Sequence, residues 1–561
     1  MMKKTYFIFI IFALFFLNAC TPKINVKESQ NKESGKVTIT LASNFEGGDS
    51  CIIVLEKDSE IKLPAIGTLW QRDGYSFLGW SASNTSDEIS YFDKASFTAL
   101  FDHTLYAVWK KIVNIKYDAN GGKGKIETQT FLYGDTIKIE DGNLFKNGDY
   151  IFACWNTMSD GSGDNIEIGT EYSDYLNMTL YAKWIKIDSA LTMDIAEYDY
   201  QNYAFVSDCN EYAIDVIIPE FYKGYKVTKI GSHAFEDCVK LKSCYIPNTV
   251  KLIGSYAFYN CSNLTSIYIP NSVNTIGGFS FSNCSNLTDV VLSNSITSIE
   301  SNTFSFCTSL MSIEIPYRVT SIGALAFYGC NSLGSIEIPD SVETIGFSSF
   351  SGCFNLSNVS LSNQLVSVES ALFYNCSSLT SIKIPDSVKL IDKYAFQGCT
   401  SLKSVNISYG LNYVGDYAFS ECLSLEEIIL PDSITDVGPA IFYKCSNLKS
   451  VSISKNIESL PCVEKGGIGF FRGCTSLVSV NLPLKLNTIS NYCFMECTSL
   501  KLINMEKNVS KIGTYAFYGC ADKLTISYNS LINNWEKIIL EDGWTTSSFT
   551  TIECNDGVLN L

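Results

Sequence analysis

The chain has 561 residues, a length that suggests about three or four domains, and 58 acidic against 41 basic residues leave a net charge of −17. Lysine and arginine are scattered with no basic stripe, which sets nucleic acid aside as a partner. Only two histidines are present, His103 and His233, so catalysis that leans on imidazole is disfavoured as well.

Residues 1–19 read as an export signal. MMKK supplies positive charge, and the apolar run Thr5–Leu17 is too short to span a bilayer. The run ends in Leu17-Asn18-Ala19-Cys20, which resembles a bacterial lipobox. That resemblance implies that Cys20 becomes the lipidated first residue of the mature protein and attaches it to a membrane. Residues 20–36 are polar and charged, as a flexible tether should be.

Between 37 and 187 the chain repeats once with a period of 75. Gly74-Tyr75-Ser76-Phe77-Leu78-Gly79-Trp80 matches Asp149-Tyr150-Ile151-Phe152-Ala153-Cys154-Trp155, and Thr104–Trp109 matches Thr179–Trp184. Alternating segments such as VTITLAS and VNIKYDANGG, rich in β-branched and aromatic residues, predict two small β modules over 37–110 and 111–187. Their tryptophans are expected in the cores. The pattern YDANGG…GDYIFACW…TLYAKW resembles the internalin-type B-repeat, or Listeria–Bacteroides repeat. That resemblance implies a grasp-like β fold used as a spacer on exported surface proteins.

The rest of the chain is periodic. Cysteines recur every 23 residues at Cys238, Cys261, Cys284, Cys307, Cys330, Cys353, Cys376, Cys399, Cys422 and Cys445. After an insertion they resume at Cys474, Cys497 and Cys520, making thirteen copies of AFxxCxSLxSIxIPxSVxxIGxx. Repeats of this length predict a solenoid, here over 188–523, followed by a closing cap over 524–561. The fold class is therefore mainly β. Ser-Ile-x-Ile-Pro reads as one short strand per coil, stopped by proline and stacked in a parallel ladder at about 4.8 Å. The glycine after isoleucine (Gly254, Gly277, Gly323, Gly346) is expected to permit a tight bend, and the following S-Y-A-F segment a helical or 3₁₀ turn that seats Phe in the core.

Cysteine returns because its slot returns: a small, soft side chain fits between the Phe and Leu layers. Disulfides between coils are the rival, but stacked Cβ vectors would run parallel, which is poor disulfide geometry. Zinc would favour paired CxxC spacing, and these cysteines are isolated. The reading is a structural ladder of buried thiols, with no metal and no cofactor. That is unusual in an exported protein, and burial or an anaerobic habitat would each account for it.

The coil resembles the BspA-like leucine-rich repeat, with residues 188–235 similar to its N-terminal cap and the tail bearing Trp535, Trp544 and Cys554 similar to its closing cap. The family resemblance implies a surface or secreted protein associated with adhesion to host matrix proteins such as fibronectin. No nucleophile with a positioned base, paired catalytic carboxylates or phosphate-cradling glycine loop appears, so neither an enzyme nor a small-molecule substrate is expected. Binding is the better class. The slot between the two inward strand residues begins Tyr245, Tyr268, Val291, Glu314 and Glu337, and these are the candidate contact residues. The other reading is a structural or glycan-binding component of the bacterial envelope.

Overall fold

The computed structural model describes residues 35–173, 176–199, 201–546 and 550–560, and almost every regular element in it is a strand. Cys20, the signal segment and nearly all of the tether lie outside the described residues. The chain divides into two compact units near residue 114, with the short segments 130–135 and 173–177 belonging to the first.

In the first unit, Lys36–Ala42 pairs antiparallel with Ser50–Glu56 and parallel with the start of His103–Asp118. Tyr75–Ser81 pairs antiparallel with that same long strand. The second module repeats the plan: Met178–Ile185 pairs parallel with Ile115–Tyr117 and Asp118, and antiparallel with Ile151–Asn156. Trp80 and Trp155 are fully buried. The indole N–H of Trp155 donates to the Glu140 carbonyl at 2.8 Å, that of Trp109 to Ser43 at 2.7 Å, and that of Trp184 to Ala119 at 2.9 Å. Trp80 and Trp155 are thus core residues and Trp109 and Trp184 half-buried ones, and all but Trp80, whose indole N–H has no partner, lock a loop by one hydrogen bond.

The second module is continuous with the solenoid's N-terminal cap. The cap hairpin of Phe221–Tyr222 and Tyr225–Ile230 turns at Gly224. Gly224 N–H donates to Ala153 at 2.9 Å, and its carbonyl accepts from Ile168 at 3.1 Å. Its φ is +92°, and a Cβ there would lie 2.7 Å from Ile168, so only glycine fits. Phe221 is buried with Ala153 and Cys154, and Lys226 pairs with Glu167 at 3.1 Å.

The solenoid makes about fifteen turns, the thirteen cysteine-bearing copies continued by a further turn at each end. Three ladders hold successive turns together. The first is the Ser-Ile-x strand, as in Ser381–Lys383 paired parallel with Ser404–Asn406. The second is a two-residue strand at the Thr-Ile step, as in Thr275–Ile276 against Leu252–Ile253. The third runs along the turn side. Tyr256, Phe258 and Asn260 donate to Gly278, Ser280 and Ser282 of the next turn at 2.7–3.1 Å.

That turn side carries no helix or 3₁₀ segment, contrary to the expectation for S-Y-A-F. Each coil instead places left-handed residues there, such as Tyr256 (φ 59°) and Asn260 (φ 57°). The position before cysteine is accordingly Asn or Gly in many copies (Asn260, Asn283, Gly329, Gly352, Asn375, Gly398), the types that enter this region most cheaply.

The glycines after isoleucine do not serve a bend, and none of Gly254, Gly277, Gly323 and Gly346 has positive φ. They allow close approach of coils. A Cβ on Gly346 would lie 2.4 Å from the Ala324 nitrogen and 2.7 Å from its Cα. The two-residue ladder is interrupted in three places, before Ser298–Ile299, Ser367–Val368 and Ser459–Leu460. At those turns the glycine position holds Glu300, Glu369 and Pro461, while Asp392 and Ser490 are accommodated. Gly346→Ala is expected to cost about 1–3 kcal/mol in urea unfolding, because backbone must move, and Glu369→Gly less, about 0.5–1 kcal/mol, from chain entropy and the lost hydrogen bond that Ser367 donates to its carboxylate. An unchanged midpoint for Gly346→Ala would remove the close-approach explanation.

Both ends are covered. Trp544 takes the next slot after Phe517, accepting its N–H at 2.7 Å and meeting its ring edge-on at 6.2 Å. The first ladder continues through Thr525–Asn529 and Thr551–Cys554, and the antiparallel strand Gly557–Asn560 closes its last edge.

Candidate binding surface

The interior of the solenoid is one column per residue type. Thirteen Phe rings from Phe235 to Phe517 stack within 15° of parallel, with neighbouring centroids 4.7–6.0 Å apart. Beside them run the thirteen ladder cysteines, all buried and none in a disulfide. From Cys261 onward each thiol donates to the carbonyl of the Phe in the preceding coil at 3.0–3.2 Å, as Cys353 does to Phe327. Cys238, first in line, reaches the Cys209 carbonyl at 3.6 Å. The slot therefore selects a small side chain with a weak donor. Burial pushes the thiols of Cys284, Cys353, Cys399, Cys445 and Cys520 up to about 12, which removes the nucleophilic thiolate.

What the interior repeats, the outer strand face varies. Each Ser-Ile-x strand buries its isoleucine and exposes the residues on either side. Tyr245, Tyr268 and Val291 stand 55%, 57% and 47% exposed, in the column with Glu314 and Glu337. The column begins one turn earlier than the cysteines. Asp215–Ile217 pairs parallel with Ser243–Tyr245, putting Ile217, 70% exposed, beside Tyr245. Ile217 lies outside the cysteine register, because Cys209 in its turn stands 29 residues before Cys238 rather than 23, although Val-Ile-Ile-Pro carries the strand pattern. Beyond Glu337 the column runs through Ser360, Lys383 and Asn406, a mixed polar series.

Strand pairing in this ladder lapses at several steps, among them Tyr245 to Tyr268 and Ser360 to Lys383, and at the carboxylates the ladder opens because a strand is missing. Residues 312–314 form no strand, so Asp289–Val291 and Ser335–Glu337 each pair on one side only. An open groove of about 510 Å³ lies there, lined by Asn294, Ser312, Glu314, Tyr317, Ser335 and Glu337 among others. Tyr317 in its lining is exposed, a contribution that the slot pattern missed because Tyr317 does not occupy the slot. Among the described residues, Glu314 and Glu337 make no ion pair, and no group of three or more His, Cys, Asp or Glu side chains could hold a metal.

The family model described as the BspA-type leucine-rich repeat region matches in overlapping stretches over residues 201–555. The chain belongs to that family. The Listeria–Bacteroides repeat domain matches residues 38–108 and 114–183, the two β modules. A leucine-rich repeat protein of Bacteroides ovatus is 28% identical, covering 66% of this chain and 99% of its own, with a TM-score of 0.45. A leucine-rich cell surface protein of Faecalibacterium prausnitzii is 26% identical over 64% and 97%, with a TM-score of 0.36. Among curated proteins, one of Evansella cellulosilytica named as a membrane protein is 29% identical over 165 residues. The BspA-type chain covers 28% of its own length and 23% of that relative's in this match, and 18% of the length of a second such protein.

Proposed function

We propose that the protein is a non-enzymatic binding protein of the bacterial cell envelope, an adhesin whose solenoid contacts a host matrix or cell-surface protein such as fibronectin. The observation that carries this reading is the outward column from Ile217 to Val291. Four neighbouring turns each expose an apolar side chain there, while the strand residues beside them are buried. Exposed apolar clusters of this kind mark contact surfaces, and a few adjacent turns supply the ~800 Å² per partner that a specific interface needs. In the β modules the repeated tryptophans are spent on the cores, so less distinctive surface remains.

Membrane-protein names among the relatives and the surface habit of the repeat support an envelope location. Lipidation at Cys20 would attach the protein, with the tether and the two modules preceding the solenoid in chain order. The full chain is expected to adhere to immobilised fibronectin, and Tyr245→Ser/Tyr268→Ser to weaken adhesion about tenfold or more. Adhesion unchanged in the double variant would discard the column. Adhesion to purified envelope glycans instead of fibronectin would favour a glycan-binding role.

A further inference from the structure

We propose that the strand face from Ile217 to Glu337 takes an amphipathic helix of a partner protein, apolar along one side and carrying two cations at one end of that side. The inference rests on the strand face being the binding surface, and it adds the chemistry of what binds. The column has two parts in sequence along the solenoid. Ile217, Tyr245, Tyr268 and Val291 are apolar, and Glu314 and Glu337 follow as carboxylates. A complementary partner must show the same order, four apolar contacts and then two positive ones.

Spacing selects the partner's conformation. Successive turns of a parallel ladder lie about 4.8 Å apart. A helix laid along the column offers one side chain per turn every 5.4 Å, and drifts by about 2 Å over three steps. An extended segment offers one every ~6.7 Å on a given side, and drifts by about 6 Å over the same distance. Only the helix keeps one residue against each coil. Five steps from Ile217 to Glu337 at that spacing cover about 24 Å, or ~16 residues of helix, and the opened ladder at residues 312–314 can only lengthen this toward the helix's larger repeat.

The carboxylate end is prepared for cations. Glu314 and Glu337 are exposed at the groove where the ladder opens, with Tyr317 beside them to take the aliphatic stem of a lysine or arginine. Arg318 is the single lysine or arginine between Lys251 and Lys383, and it makes no ion pair with Glu314 or Glu337 among the described residues. The chain's net charge of −17 favours the same sign of partner.

The test uses the full chain and three synthetic helical peptides of about 18 residues. One carries leucine at four turn-spaced positions and lysine at the next two; the second carries glutamate in place of both lysines; the third is a scramble of the first. Fluorescence anisotropy should show the lysine peptide binding about tenfold more tightly than the other two, with the margin shrinking as salt rises. Glu314→Lys/Glu337→Lys should reverse the preference between the lysine and glutamate peptides. Both substitutions lie on the surface, and an unchanged thermal midpoint confirms the fold. Equal binding of the scramble, or a lysine preference that survives the double reversal, overturns the inference. If no peptide binds while Tyr245→Ser/Tyr268→Ser still abolishes fibronectin adhesion, the helix is wrong and the binding surface stands.

Discussion

Above about pH 9 the solenoid is expected to lose stability steeply, far more than a protein with one or two buried thiols. The ladder thiols ionise at an ordinary value of 9.0 once unfolded, whereas burial holds five of them at about 12 in the fold. The unfolded chain thus binds fewer protons between pH 9 and 12, and stability falls as pH rises through that window. Below pH 9 the contribution is fully present. At pH 10 each such thiol costs about 1.4 kcal/mol, so five cost about 7 kcal/mol, comparable with the whole stability of a typical domain. Urea midpoints from pH 8 to pH 10.5 should fall accordingly, and the slope should flatten in a variant with Cys353, Cys399 and Cys445 changed to Ala. A midpoint at pH 10 equal to that at pH 8 would show that the cysteines are not buried free thiols.

Phe327→Ala is expected to be the most damaging single truncation, at about 3–5 kcal/mol. The Phe327 ring is fully buried between Phe304 at 5.6 Å and Phe350 at 5.3 Å, so its loss leaves a cavity that both neighbours border. Its carbonyl also accepts the thiol of Cys353 and the N–H of Cys330, and a relaxing backbone would strain both. A solenoid is stabilised between nearest neighbours, so a central defect should split one unfolding transition into two. A cost below 1 kcal/mol with a single transition would contradict a continuous aromatic core.

Much of this was legible because the chain repeats. The cysteine spacing, the Ser-Ile-x strand and the outward slot follow from thirteen near-copies read against each other. The hidden parts have physical causes. Two-residue strands such as Thr275–Ile276 are too short to show alternation. Close approach at Gly346 concerns the coil before it, and no local pattern reports that. The opened ladder is the clearest case. Ser312-Ile313-Glu314-Ile315-Pro316 and Ser335-Ile336-Glu337-Ile338-Pro339 are the same five residues, yet only the second forms a strand. Their difference lies in the neighbouring turns, which a local reading does not weigh. Ile217 and Tyr317 were missed for related reasons, one in a turn whose cysteine, Cys209, breaks the 23-residue spacing and one outside the slot.

The central claim is that the outward strand column of the solenoid does the binding, and amide hydrogen exchange on the full chain with and without fibronectin tests it directly. Protection should rise at Asp215–Ile217, Ser243–Tyr245, Ser266–Tyr268 and Asp289–Val291 and in the turns beside them. Protection confined to residues 37–187, with these four strands unchanged, would contradict it.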